Sequence, residues 1–200
     1  MATRHLDSIA AERLGDDEQE RTLVLAAQRG DAGALRELYH AYRDRVWSLV
    51  MYSVGDFHLA QDVLQTVFLK VFRGLKDFRF QSSLATWIYR IAHNECQEHH
   101  RRHRTPHVPL ETILGSSSEI DTRPILDDQH AHRERQLIIQ RALMQLSLKL
   151  RTVIVLKYVE GLTYQEMSRV LGCAPGTVAS RLNRALAELE ERLRPFRGIM

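Results

Sequence analysis

The chain has 200 residues, with 28 Lys plus Arg, 25 Asp plus Glu and 10 His, and a formal net charge of +3. Hydrophobic residues make up 44%, enough to build the cores of one domain or two small ones, while 10 Gly and 5 Pro disfavour a turn-rich sandwich or barrel. No apolar run approaches the roughly 20 residues that span a bilayer, and the N-terminal segment has no apolar signal core. Two cysteines cannot build a disulfide framework, so we expect a protein of the reducing cytoplasm.

The charge is distributed unevenly along the chain. Residues 1–21 carry −3 and residues 105–128 carry −4, whereas residues 22–104 carry +4 and residues 129–200 carry +6. Two basic segments separated by an acidic one indicate two modules that meet a polyanion such as nucleic acid. Chance variation over a solvated surface is the alternative, so charge by itself favours nucleic acid only slightly.

Residues 105–128 predict an acidic linker. They carry three of the five prolines and three consecutive serines, and no helical period continues through them. A structureless stretch of this length is unusual inside one compact domain, so it favours two domains, over 22–104 and 129–200. Residues 1–21 form an acidic N-terminal extension, for which we favour disorder over a regulatory role.

Apolar residues recur at steps of three and four on both sides of the linker, which predicts helices. In the N-terminal domain the stripes run from Leu35 to Val50, from Leu59 to Leu75 and from Leu84 to Ala92, the last after Ser82 or Ser83 as N-cap. No alternating strand pattern of useful length occurs. The predicted fold class is therefore all-α, with two small helical domains joined by a flexible linker.

The C-terminal domain has the sequence pattern of a helix-turn-helix. Thr163 and Glu166 form a capping-box signature at the start of a short helix that Gly172 ends. Pro175 suits the first turn of the next helix, whose N-terminal half is polar and basic. Such a helix can enter the major groove, where Arg pairs bidentately with guanine. The alternative is an ordinary helical hairpin, and the spacing with the charge polarity favours DNA binding.

A basic segment beside aromatic residues ends the third helix of the N-terminal domain. Trp87, Tyr89 and Arg90 precede this segment, a combination that suits single-stranded nucleic acid because bases stack on rings while cations follow phosphates. Two other interpretations stay open: Trp87 as a core residue, and the arginines as a solvated helix end that complements the helix dipole.

Histidine and cysteine side chains on the same helix could face one another at steps of three and four. These candidate zinc ligands are His93, Cys96, His100 and His103. Because one helix rarely closes a tetrahedral site and no paired CxxC accompanies it, we predict no metal and no cofactor. No phosphate loop, dinucleotide glycine fingerprint, HExxH or GxSxG motif occurs, so we predict that the chain is not an enzyme.

Two blocks of the sequence carry further information: the first comprises Leu59–Arg73 and Ser83–Asn94, and the second comprises motifs between Leu156 and Ala185. Both closely resemble bacterial sigma factors of the extracytoplasmic-function (ECF) class. The resemblance extends over about residues 22–104 and 129–196, with the blocks in the family's order. It implies a subunit that binds core RNA polymerase and directs promoter-specific transcription initiation.

The resemblance also implies three functional surfaces. For binding core polymerase, it implies Asp62, Gln65, Phe68, Leu69 and Phe72. For capturing and melting the minus-10 promoter element, it implies Arg79, Phe80, Gln81, Ser82, Ser83, Thr86, Trp87, Tyr89, Arg90, His93, Asn94, Arg101 and Arg102. For reading the minus-35 element, it implies Thr177, Ser180, Arg181, Asn183 and Arg184.

The partners implied by the resemblance are core RNA polymerase, promoter DNA that is duplex at minus-35 and melted at minus-10, and an anti-sigma factor. Exposed apolar surface at Phe68, Leu69 and Phe72 is expected to suit the last of these. The acidic linker resembles the family segment that threads the polymerase's RNA path. Thr66 and Ala174 depart from the family, which usually has an acidic residue and a Ser cap there.

Two alternative functions remain beside this interpretation. A conventional helix-turn-helix regulator binds an operator without polymerase, and has no use for a core-docking helix over residues 59–73. A sigma mimic that titrates a partner protein is expected to lose its basic DNA-binding faces, whereas Arg181 and Arg184 persist here.

Overall fold

The computed structural model describes residues 18–102 and 127–196, and within them every regular element is helical. In chain order the helices are α1 (18–28), α2 (Ala32–Val54), α3 (Phe57–Leu75), α4 (Leu84–Arg102), α5 (Asp127–Met144), α6 (Leu148–Ile154), α7 (Tyr164–Leu171) and α8 (Pro175–Leu193). A π-helical turn (Val155–Val159) continues α6, and a 3-10 turn (Arg194–Phe196) follows α8. The all-α prediction is confirmed.

Short polar side chains start helices α2, α3 and α4 of the N-terminal domain, which comprises α1–α4. Asp31 begins α2 by accepting hydrogen bonds from the N–H groups of Gly33 (2.7 Å) and Ala34 (3.1 Å), and these bonds lower the pKa of its carboxyl. Ser83 begins α4, where its hydroxyl accepts from the N–H of Thr86 at 3.2 Å. The predicted choice between Ser82 and Ser83 is thereby decided for Ser83.

The core of the N-terminal domain lies where α2, α3 and α4 pack against one another. Val46 and Leu49 from α2 meet Val67 from α3 and Ile88 from α4, all almost fully buried. The apolar stripes read from the sequence therefore face this core. Gly55, with φ of +83°, lets the chain reverse between α2 and α3.

The C-terminal domain, α5–α8, contains the predicted helix-turn-helix in α7 and α8. The capping box is present: Thr163 Oγ1 accepts from the N–H of Glu166, and Glu166 Oε2 accepts from the N–H of Thr163 at 2.8 Å. Gly172 ends α7 with φ of +63°. Ala174 supplies no side-chain cap to α8, which begins instead with Pro175.

The two domains pack directly on each other. Helix α7 lies against α4, while α6 and the π-helical turn lie against α2. Their buried apolar residues form one continuous cluster across both domains. The arrangement therefore places the helix-turn-helix beside the basic helix of the other domain.

Parts of the predicted tail and linker lie outside the described residues. These are residues 1–17 of the extension and 103–126, which hold most of the linker and His103. The expected disorder of the extension is wrong for residues 18–21, which begin α1, and residues 127–128 of the predicted linker begin α5. Among the described helices, none combines the length and apolar character that crossing a bilayer requires.

Removing the Thr163 hydroxyl is expected to weaken the start of α7. We predict that Thr163→Ala lowers the free energy of unfolding by about 1 kcal/mol, because the N–H of Glu166 loses its acceptor. Denaturant unfolding of the full chain measures this difference. Thr163→Ser keeps the hydroxyl and is the matched control; an equal loss in both variants would contradict the capping role.

Candidate functional surfaces

An open apolar groove of about 550 Å³ runs between α2 and α3, and we call it the α2–α3 groove. At its rim, Phe57 is 50% exposed and Leu69 is 49% exposed. Its floor includes Phe68, whose ring meets Tyr39 edge-to-face with centroids 4.7 Å apart. The expectation that Phe68 is exposed is wrong, since it is 4% exposed and shares in the core.

Four of the five residues predicted for polymerase binding line the α2–α3 groove; these are Gln65, Phe68, Leu69 and Phe72. Asp62 is exposed on α3 outside the lining. The sequence reasoning missed Tyr39, Trp47 and Phe57, which complete the groove from α2 and from the first residue of α3. The available signal was the apolar stripe from Leu35 to Val50, which carries Tyr39 and Trp47 and predicts a buried helix face equally well.

A smaller pocket of about 310 Å³ lies at the loop between α3 and α4, and we call it the loop pocket. Its lining consists of Asp77, Phe78, Arg79, Gln81, Ser82, Thr86, Trp87, Arg90 and, from α7, Arg169. An aromatic wall forms one side, where the Phe78 and Trp87 ring centroids lie 5.1 Å apart. An unstacked base can stack on aromatic rings while guanidinium groups bind the neighbouring phosphates, and this pocket offers both kinds of group.

The backbone of the loop is held in an unfavourable conformation at Phe80. Its φ of +56° is rare for a residue with a side chain, and such strain concentrates at functional sites. Arg21 lies over the Phe80 ring at 4.4 Å from the centroid. Gln28 donates to the carbonyls of Leu75 (3.0 Å) and Phe78 (2.9 Å), which fixes the base of the loop.

The residues predicted for minus-10 contact fall into three groups. Arg79, Gln81, Ser82, Thr86, Trp87 and Arg90 line the loop pocket, and Phe80 and Ser83 lie in the same loop. Asn94, Arg101 and Arg102 are exposed farther along α4, where both arginines pair with Glu98 and lower the pKa of its carboxyl. Tyr89 and His93 are buried under the C-terminal domain.

The imidazole of His93 is held neutral inside the interface between the domains. Burial, followed by the nearby Arg181 guanidinium, lowers the pKa of His93 to about 4. Its Nε2 lies 2.7 Å from the side-chain nitrogen of Gln97. The His93 ring therefore contributes to packing in this arrangement of the domains.

The candidate zinc ligands on α4 are engaged elsewhere. Burial raises the pKa of the Cys96 thiol to about 12, and His100 Nε2 lies 2.7 Å from the carbonyl oxygen of Ser53. In residues 18–102 and 127–196, no three His, Cys, Asp or Glu side chains come together as a metal site. His103 lies outside these ranges.

The predicted minus-35 residues lie along the first half of α8. Ser180, Asn183 and Arg184 are exposed, and Arg184 pairs with Glu188 at 3.0 Å. Two others, Thr177 and Arg181, are half-buried, the latter with its guanidinium 3.5 Å from Cys173 Sγ. An exposed Ser, Asn and Arg on consecutive turns present the donors and acceptors that base edges recognise.

Comparison with known proteins identifies both domains. The family description "Sigma-70 region 2" matches residues 38–105, and "Sigma-70, region 4" matches residues 136–189. The RNA polymerase sigma-H factor of Pseudomonas aeruginosa is 34% identical over 187 residues, covering 90% of this chain and 96% of the relative. The ECF RNA polymerase sigma-E factor of Escherichia coli K12 is 32% identical over 185 residues, which cover 88% of this chain and 95% of that relative. The chain belongs to the ECF sigma factors.

An ECF sigma factor acts with RNA polymerase to direct transcription initiation, so the predicted function is confirmed at this level. The solved structure of CnrH in complex with the cytosolic domain of CnrY has a TM-score of 0.66 to this sigma factor. It is 23% identical and covers 88% of this chain and 97% of its own, which shows a shared fold. The solved structure of the sigma factor RpoE in complex with the anti-sigma factor NepR from Bartonella quintana has a TM-score of 0.59 and is 23% identical. The match covers 80% of this chain and 96% of RpoE.

The neutral His93 of this sigma factor makes its stability depend on pH. The pKa falls from 6.5 in an exposed imidazole to about 4 in the fold, so the unfolded chain takes up a proton first as pH drops. The contribution of the neutral His93 to the free energy of unfolding is therefore complete above pH 6.5 and is lost as the pH falls towards 4. We predict that the wild type loses about 2–3 kcal/mol more than His93→Gln across this window.

Urea unfolding of both proteins at several pH values measures this difference. Other groups that titrate in the same range act on both chains alike, so the comparison isolates residue 93. Parallel stability curves for the two proteins would contradict a buried neutral imidazole.

Proposed function

We propose that the α2–α3 groove is the surface on which this sigma factor docks core RNA polymerase. The observation that carries the proposal is the apolar rim at Phe57 and Leu69, each about half exposed beside a ring-lined floor. Exposed apolar surface that is continuous with a groove marks a site for another protein. A helix with an apolar stripe fits a groove of this kind, because its side chains enter at steps of three and four.

The loop pocket is proposed to hold one unpaired base of the melted minus-10 element. Its volume of about 310 Å³ is open to solvent, and Trp87 with Phe78 offers a stacking wall. Arg79 and Arg90 at the same pocket supply positive charge for the phosphates of the strand. Taking a base out of the stack costs free energy, which such a preformed pocket offsets.

The exposed face of α8 is proposed to read the minus-35 element as duplex. Two DNA contacts on one polymerase-bound chain reinforce each other through effective concentration. We assign polymerase and minus-10 binding to residues 22–104, minus-35 reading to residues 129–200, and the acidic 105–128 to the linker between them. The chain supplies no catalysis of its own and works in the cytoplasm.

An anti-sigma factor is the further partner that we propose, on the same α2–α3 groove. Structurally similar sigma factors have been solved with such partners, as in RpoE with NepR. A partner that covers Leu69 and Phe57 excludes polymerase because both need the same apolar surface. A conventional operator-binding regulator has no need of this groove, which disfavours that alternative.

Replacing one rim residue is expected to weaken polymerase binding. We predict that Leu69→Ser lowers the affinity for core polymerase at least about tenfold, since a half-exposed leucine loses its apolar contact. Leu59→Ser, also exposed on α3 but outside the groove, is the matched control. Both variants are tested by binding of the labelled protein to core polymerase, followed by run-off transcription. Equal affinities of the Leu69 and Leu59 variants would contradict the assignment of the groove.

Replacing one α8 arginine is expected to affect the promoter alone. We predict that Arg184→Ala reduces transcription from promoters that depend on minus-35 by about tenfold, the value of one lost base or phosphate contact. Core binding stays unchanged. Arg141→Ala, an exposed arginine on α5, serves as control. Loss of core binding together with promoter use would show general damage and refute specific reading.

A further inference from the structure

A buried carboxylate connects the two DNA-binding domains. Glu160 follows the π-helical turn, and its side chain is 2% exposed. It accepts a hydrogen bond from the Tyr89 hydroxyl on α4 and pairs with Arg45 Nε on α2 at 3.4 Å. Among the described residues, both partners of Glu160 therefore belong to the other domain.

This arrangement makes the burial of Glu160 conditional on docking. A carboxylate leaves water only where its charge is paired and its oxygens are hydrogen-bonded. Here those groups come from Tyr89 and Arg45, so separating the domains returns the Glu160 carboxylate to solvent and leaves Arg45, which is already half exposed, without this partner. Burial and the neighbouring carboxylate raise the pKa of Tyr89, which keeps its hydroxyl protonated and able to donate.

A second polar contact crosses the interface independently. Arg151 of α6 donates to the carbonyl of Tyr52 at 2.8 Å, at the C-terminal end of α2, and also to the carbonyls of Met144 and Leu146. Burial lowers the pKa of Arg151 to about 10, which leaves it charged at neutral pH. A cation at the end of α2 satisfies carbonyls that the helix leaves unpaired.

Docking covers part of the surface proposed to melt promoter DNA. Tyr89 is 0% exposed and His93 is 5% exposed beneath the C-terminal domain. Arg169 of α7 lies at the loop pocket, and Arg181 of α8 is close enough to His93 to act on its charge. The residues assigned to minus-10 and those assigned to minus-35 thus lie against each other.

We propose that the contact of Glu160 with Tyr89 and Arg45 is what keeps the two domains of the free chain docked, and that breaking it exposes the residues assigned to the minus-10 strand. Tyr89 then has two exclusive positions, one on Glu160 and one towards DNA. This inference rests on the proposed function for the identity of the covered surface. The docked contact itself is independent of that function.

The distance between the domains in the free, full-length protein tests the closure. Spin labels on cysteines introduced at exposed Arg36 of α2 and Ala187 of α8 report it, in a Cys173→Ser background where Cys96 is buried. The wild type is expected to give one narrow distance population, that of the docked domains, which is short relative to the distances of the opened chain. Glu160→Gln, which keeps the shape and removes the charge, is expected to raise the ratio of long to short distances about tenfold.

Matched variants separate opening from general damage. Arg45→Ala removes the partner from the other side of the contact and is expected to open the chain in the same way. Glu191→Gln, an exposed carboxamide replacement on α8, is expected to leave the distances unchanged. Circular dichroism melting confirms that each variant is folded before its distances are compared.

DNA binding without polymerase supplies the second readout. We expect Glu160→Gln and Arg45→Ala to bind a mixed-sequence single-stranded 20-mer at least about tenfold more tightly than wild type, because opening exposes Tyr89 and His93. Long distances already dominant in the wild type would overturn the closure, and distances unchanged in both variants would overturn the role of Glu160 in it. Opened chains that bind the 20-mer no more tightly would overturn the occlusion of DNA.

Failure of the proposed function would look different. A wild-type chain that does not bind core polymerase refutes the assignment of the α2–α3 groove, while the label distances still decide whether the domains close. Closed distances with normal core binding and no response to Glu160→Gln refute the inference alone.

Discussion

The carboxylate of Glu160 is kept out of water at the interface between the domains, where it meets a tyrosine and an arginine from the other domain. Glu160 lies only three residues before the capping box that begins α7, and α7 packs against α4. The aromatic residue that Glu160 engages is fully buried, while Trp87, two positions earlier, stays open at the loop pocket. The docked C-terminal domain therefore covers one part of the α4 surface and leaves another part available.

Helix α3 shows how one short element serves both stability and recognition. Val63, Val67 and Val71 are buried in the core, and Leu69 on another face remains half exposed. Phe68 lies between these faces and touches both the core and the groove. The apolar stripe of α3 is wider than folding alone requires, which leaves surface for a partner.

Local signals in the sequence predicted α2, α3, α4, α7 and α8, but not α1, whose first residues fall in the segment expected to be disordered. Gly172 and the Thr163 capping box lie within a few residues of the contacts that they form, so short-range pattern is sufficient there. The exposure of individual site residues was harder to predict. Tyr89 and Glu160 are 71 positions apart in the chain, and no periodicity within either helix reveals that pairing.

The same limit explains what was missed at the α2–α3 groove. Trp47 and Phe57 are apolar residues that fit a core equally well, and their place in the groove depends on how α2 and α3 pack across the turn at Gly55. The roles assigned to the promoter-facing residues stay predictions. The family itself was recognisable because two motif blocks keep the family's order and spacing. A single residue carries no such information.

The π-helical turn at Val155–Val159 makes the contact between the domains sensitive to the number of residues in the turn as well as to their identity. The N–H of Glu160 bonds to the carbonyl of Val155, five residues back, so this turn holds one residue more than an α-helical turn. Deleting a single residue there would let α6 continue as ordinary helix, with the apolar residues of the turn largely retained. It would also rotate the carboxylate by about 100° around the helix axis, away from its partners. Insertions and deletions in this segment therefore uncouple the domains while leaving each domain's own fold in place.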